Sequence, residues 1–309
     1  MRDAGRSAKL IVCLAAVYLI WGSSFLFTKI AVNHLPTALF SGIRFFAAGS
    51  LMALLARFWR GHHWPTSALE WRHVLIVGFF MVLGSNGLNV WAMHYIPSNE
   101  SALLNGTAAF WIAGLGVFGP RGHPLTRRAM LGLAIGFIGV VLMLIPKEHL
   151  SAASLQAQLA ALTGCFAWSI GTLYYRSINT RLSSMMFTAL QMLSGGLMLL
   201  CIAVIRSDYV EWSPDLPSLI ALGYLTFCSS CLAYTAYGWL TVNTTPAVIG
   251  TYSYVNPAIA AFLGWQFLHE QLSHLQLLGM LIIIVGVILS TLRGGRFSGP
   301  KALEEPQAQ

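Results

Sequence analysis

A short stretch at 251–257, Thr-Tyr-Ser-Tyr-Val-Asn-Pro, places an amide and a proline inside the apolar run 246–268. If this run spans a membrane as a helix, the Asn256 amide lies near the bilayer midplane, where it lacks water and must find a partner. Pro257 donates no N–H and crowds the carbonyl four residues earlier, so it opens the backbone ladder locally. Tyr252 and Asn256 are four residues apart and share one helical face. The pattern predicts a substrate cavity in a transporter or, alternatively, a kinked span whose amide bonds a neighbouring helix.

Arg44 is a permanent charge about two turns into the second apolar run, because a guanidinium does not deprotonate in proteins. An isolated charge in hydrocarbon costs at least roughly 2.5–3.5 kcal/mol, so this side chain must face a cavity or a partner. Its planar fork suits a carboxylate and therefore an amino-acid or organic-acid substrate. The alternatives are a structural pair with Glu100 or snorkelling toward the surface.

Other polar and aromatic side chains inside apolar runs are further candidates to line the same cavity. They would otherwise form hydrogen bonds between helices: Asn86, Asn89, Asn105, Gln191, Tyr234 and Tyr237. Glu100 is interpreted as an interfacial charge, as a partner of Arg44 or Lys29, or as a proton acceptor in a coupling step. Trp21 and Trp168 are either gates or cavity walls, or large packing residues.

The composition places the chain in lipid. Of its 309 residues 56% are hydrophobic and 9% charged, with a mean hydropathy of +0.68, whereas soluble domains carry roughly 25% charge. Ten mostly apolar runs of spanning length follow one another, at 10–31, 37–57, 73–95, 98–118, 128–145, 155–175, 184–205, 217–239, 246–268 and 275–293. We therefore predict an all-α membrane protein with ten transmembrane helices and a disordered tail at 294–309.

The positive charge predicts an orientation rather than a nucleic-acid partner. With a cytoplasmic N-terminus, 14 of the 18 Lys and Arg residues lie in cytoplasmic segments. Lys147 and Arg206 remain outside, while Lys29 and Arg44 lie within spans. Because short cytoplasmic loops are rich in Lys and Arg, both termini are expected in the cytoplasm.

The chain repeats itself at an offset of about 147 residues. This shift superposes Trp21 on Trp168, Lys29 on Arg176, Arg44 on Gln191, Gly49 on Gly196, Gly132 on Gly279 and Gly139 on Gly286. Two five-span repeats at 10–146 and 155–293 follow. Because five is odd, the second repeat enters the membrane the opposite way up, as in inverted-repeat transporters.

Three motifs carry a resemblance to a known family: Tyr-Leu-Ile-Trp-Gly-Ser-Ser at 18–24, Gly-Ile-Arg-Phe-Phe-Ala-Ala-Gly at 42–49, and Tyr-Ser-Tyr-Val-Asn-Pro at 252–257. The chain resembles the EamA family of the drug/metabolite transporter superfamily, and within it the YedA-type inner-membrane transporters. The resemblance implies ten helices, a bacterial inner membrane, and export or exchange of small metabolites such as amino acids. It also matches Glu270 to the family's glutamate after the ninth span. The fourth span lacks the family's helix-breaking proline, so we expect an opened helix only around Pro257.

We therefore predict secondary transport by alternating access, with no cofactor and with a small molecule, the bilayer and a second copy of the chain as partners. A P-loop, a His-Glu-x-x-His pair and a Gly-x-Ser-x-Gly elbow are absent from the sequence. Cys228 and Cys231 form a Cys-x-x-Cys pair in the middle of a span, which favours packing over metal or redox chemistry. The competing classes are a polytopic membrane enzyme, which needs an interfacial catalytic cluster, and a passive channel, which needs a continuous water path.

Overall fold

The computed structural model describes residues 2–58, 61–116, 127–144, 152–244, 248, 250, 252–271 and 273–291. This part of the chain is all-α, as predicted, and contains no strand. Its helices are α1 (Arg2–Val32), α2 (Thr37–Phe58), α3 (Ala68–Ala92), α4 (Ser98–Asn105), α5 (Ala108–Leu115), α6 (Arg127–Leu144), α7 (Ala152–Ser177), α8 (Ser184–Ile205), α9 (Leu216–Asn243), α10 (Tyr252–Leu268) and α11 (His274–Thr291). The predicted tail at 294–309 lies outside the described residues.

Among the residues that the structure describes, five helices are long and apolar enough to cross a membrane. They are Ser7–Val32, Thr37–Phe58, Ala68–Ala92, Ser184–Ile205 and Leu216–Asn243, and shorter apolar helices include Val255–Leu268 and Leu277–Gly286. We call the end of the bundle that holds linker 33–36 the outer end, and the end that holds linker 178–183 the inner end. These names follow the orientation predicted from the charges.

The expectation that a helix opens only around Pro257 is wrong. α10 remains helical across Pro257, whereas the fourth run is broken between α4 and α5 at Gly106 and Thr107. The Thr107 N–H donates to the Leu104 carbonyl at 3.0 Å, a tightened turn that ends α4. A Cβ on Gly106 would lie 3.2 Å from the Ser253 carbonyl and 3.7 Å from the Pro257 ring, so the missing side chain lets the break pack closely against α10 of the other repeat.

Two wide, π-helical segments interrupt the third and eighth runs, and the hydropathy pattern did not predict them. They cover Phe79–Gly87 in α3 and Leu225–Ala233 in α9, which are equivalent positions of the two repeats. A π-helical turn leaves backbone carbonyls without their usual partners and is frequent at functional sites. The Asn86 amide uses one of them, donating to the Met81 carbonyl at 2.8 Å.

Equivalent helices of the two repeats pack against each other in opposite directions. A Cβ on Gly42 would meet Leu200, and one on Gly49 would lie 2.8 Å from the Ala189 carbonyl, so residue numbers rise along α2 as they fall along α8. In the same way, a Cβ on Gly139 would lie 2.7 Å from the Gly279 carbonyl, and one on Gly286 2.6 Å from the Gly132 carbonyl. Small residues thus let the backbones of α2 and α8, and of α6 and α11, approach closely.

Basic residues at equivalent positions of the two repeats bond the backbone carbonyls at the ends of the third and eighth runs. Lys29 donates to the carbonyls of Met93 at 2.5 Å and Ile96 at 3.1 Å, just beyond the end of α3. Arg176 donates to the carbonyls of Thr241 at 3.1 Å and Thr244 at 2.6 Å, at the end of α9. A cation that bonds the last carbonyls of a helix satisfies them and complements the helix dipole.

A capping box begins α9 outside its apolar run. The Asp215 carboxylate accepts from the Ser218 N–H at 2.9 Å, and the Ser218 hydroxyl accepts from the Asp215 N–H at 3.0 Å. Hydrogen bonds from the Ser218 side chain and backbone hold the pKa of Asp215 below its usual value. The cap is therefore fully formed above the ordinary pKa of an aspartate and is lost as the pH falls through the lowered one.

At the outer end, Glu270 caps the first turn of α4. Its carboxylate accepts from the Ser98 N–H at 2.7 Å, from the Ser98 hydroxyl at 2.9 Å and from the Asn99 N–H at 3.1 Å. This places a negative charge at a helix N-terminus, where the dipole favours it. The glutamate matched by the family resemblance thus ties the linker after α10 to the start of α4.

Replacing Glu270 with alanine should lower the melting temperature of the detergent-purified protein by about 2–6 °C, because an N-terminal cap contributes about 0.5–2 kcal/mol. Thermal unfolding of the purified protein measures the shift. Glu211→Ala, at an exposed position of the turn Asp208–Glu211, serves as the control and should leave the melting temperature unchanged. Equal melting temperatures for Glu270→Ala and the unsubstituted chain would show that the cap contributes nothing.

Candidate functional site

A cavity lies between the two halves of the bundle, on the outer side of its centre. The cavity has a volume of about 100 Å³, which is enough for several water molecules or one small metabolite. Both repeats contribute to its wall: Trp21, Ser24, Phe25, Thr28, Arg44, Ser85, Asn86, Asn89, Val90, Met93, Ala102, Asn105, Gly106 and Ala108 from the first, and Trp168, Ser229, Tyr234, Tyr252, Ser253, Asn256 and Pro257 from the second.

Arg44 is the one charged side chain among the described residues of this wall. It is 4% exposed, and its Nε donates to the Ser230 hydroxyl at 2.9 Å while Nη2 donates to the Ser229 hydroxyl at 3.0 Å. Both serines belong to the π-helical segment of α9. A guanidinium has five N–H donors, so three of them have no hydrogen bond to the described residues. The predicted alternative of an Arg44–Glu100 pair is not what the structure has; two neutral hydroxyls hold the guanidinium.

Three asparagines form an amide wall at the outer side of the cavity. Asn105 of α4 donates to the Asn89 side-chain oxygen at 2.6 Å and to the Ser101 carbonyl at 2.9 Å. Asn89 donates to the Ser85 carbonyl at 3.0 Å, and Asn86 lines the cavity one turn earlier. The amide nitrogens are thus largely held by α3 and α4, which fixes the orientation of the amide oxygens.

The predicted face of α10 reaches the cavity as well. Tyr252, Asn256 and Pro257 all line it, and the Asn256 amide, oriented by its hydrogen bonds, donates to the carbonyls of Tyr18 and Tyr252 at 3.2 Å each. Asn256 therefore does two things that the sequence offered as alternatives. It bonds the neighbouring helix α1 and also contributes to the cavity wall.

Five aromatic rings close the cavity toward the inner end. Trp21 lies 5.5 Å from Trp168, 5.7 Å from Tyr234, 5.0 Å from Tyr237 and 5.6 Å from Tyr252 between ring centroids. Their polar atoms are paired: the Trp21 Nε1 donates to the Ser229 carbonyl at 3.2 Å and the Trp168 Nε1 to the Tyr237 hydroxyl at 3.0 Å. Further apolar side chains pack below this aromatic cluster, including Cys13, Val17, Val74 and Leu182. The two tryptophans are thus both cavity wall and packing.

Two predicted site residues lie elsewhere. Gln191 is 1% exposed within α8 and does not line the cavity. Glu100 is 8% exposed in the first turn of α4, where its carboxylate accepts from the Gln158 amide of α7 at 2.7 Å. Glu100 is therefore a buried, hydrogen-bonded carboxylate next to the amide wall rather than a surface charge.

Sequence reasoning missed several small hydroxyl side chains at the site. Ser24 and Thr28 continue the face of α1 that begins at Trp21, and that spacing could have revealed them. Ser229 and Ser230 lie between two cysteines and were hidden in a segment interpreted as small-residue packing. The repeat offers a signal here, since Ser229 is the counterpart of Ser85, which precedes Asn86 in the first repeat.

Comparison with known proteins identifies the family of this chain. The model of the EamA-like transporter family matches this chain twice, over residues 8–145 and 155–292. The chain belongs to the EamA-like transporter family. The family resemblance seen in its motifs is therefore confirmed, and it extends over both halves of the chain.

Relatives in the EamA family are named as transporters. The chain is 32% identical to the "Uncharacterized inner membrane transporter YedA" of Escherichia coli (strain K12), over 90% of this chain and 89% of that one. It is 24% identical to the "Probable amino-acid metabolite efflux pump" of Salmonella typhimurium, over 89% of this chain and 92% of that one. One solved crystal structure has the same fold, with a TM-score of 0.67 and 18% identity over 92% of this chain and 97% of that one.

Proposed function

We propose that this protein is a secondary transporter of small metabolites, such as amino acids, that works by alternating access. The observation that supports this most directly is the cavity itself. It contains a guanidinium and amide side chains from both repeats, lies inside a bundle of apolar helices and is closed at one end by the aromatic cluster. A polar site inside the membrane, between two repeats, is the usual architecture of such carriers.

The fold supports ten membrane spans in two inverted repeats, 10–146 and 155–293. The opposed packing of α2 with α8, and of α6 with α11, is what a pseudo-two-fold axis in the membrane plane produces. The two π-helical segments also occupy equivalent positions in the two repeats, and so do the two basic caps, Lys29 and Arg176. Alternating access then consists of the repeats rocking around the cavity.

The charges support a bacterial inner membrane with both termini in the cytoplasm. Outside the spans, Lys and Arg concentrate at the inner end, and the E. coli relative is named as an inner membrane transporter. In this orientation the aromatic cluster closes the cytoplasmic side. Export of metabolites is the direction we propose, in line with the printed name of the Salmonella relative.

The cavity wall favours a substrate with a carboxylate. Three N–H donors of Arg44 are available for a charge-assisted, forked contact. The amide oxygens of the opposite wall accept hydrogen bonds and suit an ammonium or hydroxyl group. Glu100 is the residue we propose for proton coupling, because its carboxylate is buried against α7 at 2.7 Å from the Gln158 amide.

Transport by the purified protein in liposomes tests this proposal. A panel of labelled amino and organic acids, offered with and without a pH gradient, should show saturable uptake of at least one carboxylate above empty liposomes. Unlabelled substrate trapped inside should accelerate labelled uptake, because counterflow requires a carrier. Uptake that does not saturate and shows no counterflow would indicate a channel, and no uptake of any member would contradict the proposal.

Replacing Ser229 and Ser230 together with alanine should raise the half-saturating concentration of that carboxylate about tenfold. A hydrogen bond to a charged group contributes about 1.5–3 kcal/mol, and losing two lets the Arg44 guanidinium turn away from its binding geometry. The same liposome assay measures the change. Thr226→Val is the matched control, because the Thr226 hydroxyl in the same segment bonds the Leu222 carbonyl at 2.7 Å instead. Unchanged half-saturation in the double variant would remove both serines from the site.

A further inference from the structure

Gln191 occupies in the second repeat the place that Arg44 occupies in the first. Arg44 is the eighth residue of α2, counted from the outer end, and Gln191 is the eighth residue of α8, counted from the inner end. At about 1.5 Å per residue, each lies about 10 Å along its helix. The two side chains are therefore at matching depths on opposite sides of the centre.

Their surroundings match as well. Arg44 bonds two serines of the π-helical segment of α9. α8 packs against α3, where a Cβ on Gly78, the residue before the first π-helical segment, would lie 2.7 Å from the Gln191 carbonyl. Each of the two residues thus lies on a helix that packs against the wide segment of the other repeat.

The Gln191 side chain differs from that of Arg44 because one of its buried polar atoms is unpaired in this conformation. It is 1% exposed, and its Oε1 has no hydrogen-bond partner among the described residues. A buried acceptor without a partner costs about 1–3 kcal/mol, and native structures rarely retain one without a reason. An apolar residue of similar size would fill the same space without this cost.

We propose that Gln191 is the substrate contact of the opposite conformation. When the inner end opens, the Gln191 Oε1 faces the cavity and accepts a hydrogen bond from an N–H or O–H group of the substrate, while the contacts around Arg44 close. The two half-sites are then chemically unequal, charged on the outer side and neutral on the inner side. This inference rests on the alternating access proposed above and adds a residue-level site for its second state.

Accessibility of a cysteine at position 191 tests the inference. Gln191→Cys is made in a chain whose five cysteines are replaced by serine or alanine, with Asn105→Cys as the matched outer position. The probe is 2-(trimethylammonium)ethyl methanethiosulfonate, which does not cross membranes, added to either face of proteoliposomes of known orientation. We expect modification of Gln191→Cys from the inner face only, slowed at least threefold by the carboxylate identified in the panel, and of Asn105→Cys from the outer face.

Two outcomes overturn the inference while leaving transport intact. If a protein that still performs counterflow shows no modification at position 191 from either face, or modification from the outer face, Gln191 is not part of an inner half-site. Absence of counterflow in the unsubstituted chain is a different result, because it contradicts the proposed function itself.

A second variant gives an independent readout that does not require labelling. Gln191→Leu removes the unpaired Oε1 and should raise the melting temperature, since an apolar side chain replaces a buried acceptor without a partner. Transport should nevertheless fall about tenfold. Met192→Leu, at the adjacent fully buried position, is the control and should change neither quantity. Unimpaired transport by Gln191→Leu would show that the amide has no role in the cycle.

Discussion

Replacing Arg44 with methionine should reduce carboxylate transport on the order of 100-fold, which corresponds to about 2.7 kcal/mol. Methionine has a similar length but offers no donor, so the cavity loses its only described charge and the forked contact that we propose for the substrate. The liposome assay measures the initial rate, and size-exclusion chromatography verifies that the variant is folded.

Two control variants separate charge from shape at this position. Arg44→Lys retains the charge but not the fork, so its transport should lie between those of Arg44→Met and the unsubstituted chain. Arg206→Met removes an exposed guanidinium that pairs with Asp208 at 3.3 Å near the outer surface, and should transport normally. Normal transport by Arg44→Met would place substrate binding elsewhere.

Replacing Gly196 with alanine should lower the melting temperature by roughly 5 °C or more, although alanine is the better helix former. A Cβ at Gly196 would lie 2.5 Å from the Phe46 backbone nitrogen, so α2 and α8 must separate to admit it. Overpacking of this kind costs about 1–3 kcal/mol, more than the roughly 0.5–1 kcal/mol that alanine gains over glycine in a helix.

The same substitution at Gly223 should shift the melting temperature in the opposite direction. A Cβ there meets no atom within 4 Å, so Gly223→Ala should raise the melting temperature by about 2–4 °C through helix propensity alone. Thermal unfolding of the two variants side by side compares one chemical change in two environments. Shifts of the same sign would mean that the α2–α8 contact is not as close as described.

The positions of the helices were predictable from the sequence, because a helix surrounded by lipid needs apolar residues over its whole length. The break at Gly106 and Thr107 was not, because it depends on a neighbour: Gly106 packs against Pro257, which is distant in sequence. The prediction correctly placed Pro257 next to an interrupted helix. The interruption, however, lies in the fourth run and not in the helix that contains the proline. The π-helical segments were missed for a related reason, since their composition is as apolar as that of ordinary helix.

The candidate site was predictable where a residue is costly in hydrocarbon. Arg44, Asn86 and Asn256 stand out in apolar runs, and all three line the cavity. Ser229 and Ser230 were missed because a hydroxyl in a span usually bonds its own helix and gives no signal. Gln191 was selected by the same rule as Arg44, yet only the structure shows that the two side chains do not meet in one cavity.

Neutral hydroxyls hold Arg44, so the described cavity wall carries a positive charge that none of its own side chains compensates. A transmembrane voltage acts on any displacement of that charge across the field, by about 2.3 kcal/mol per elementary charge per 100 mV. A bound monoanion cancels it, whereas a zwitterion leaves it unchanged. If the protein works as the proposed carrier, current recorded during turnover therefore reports the net charge of the bound substrate, before its chemical identity is known.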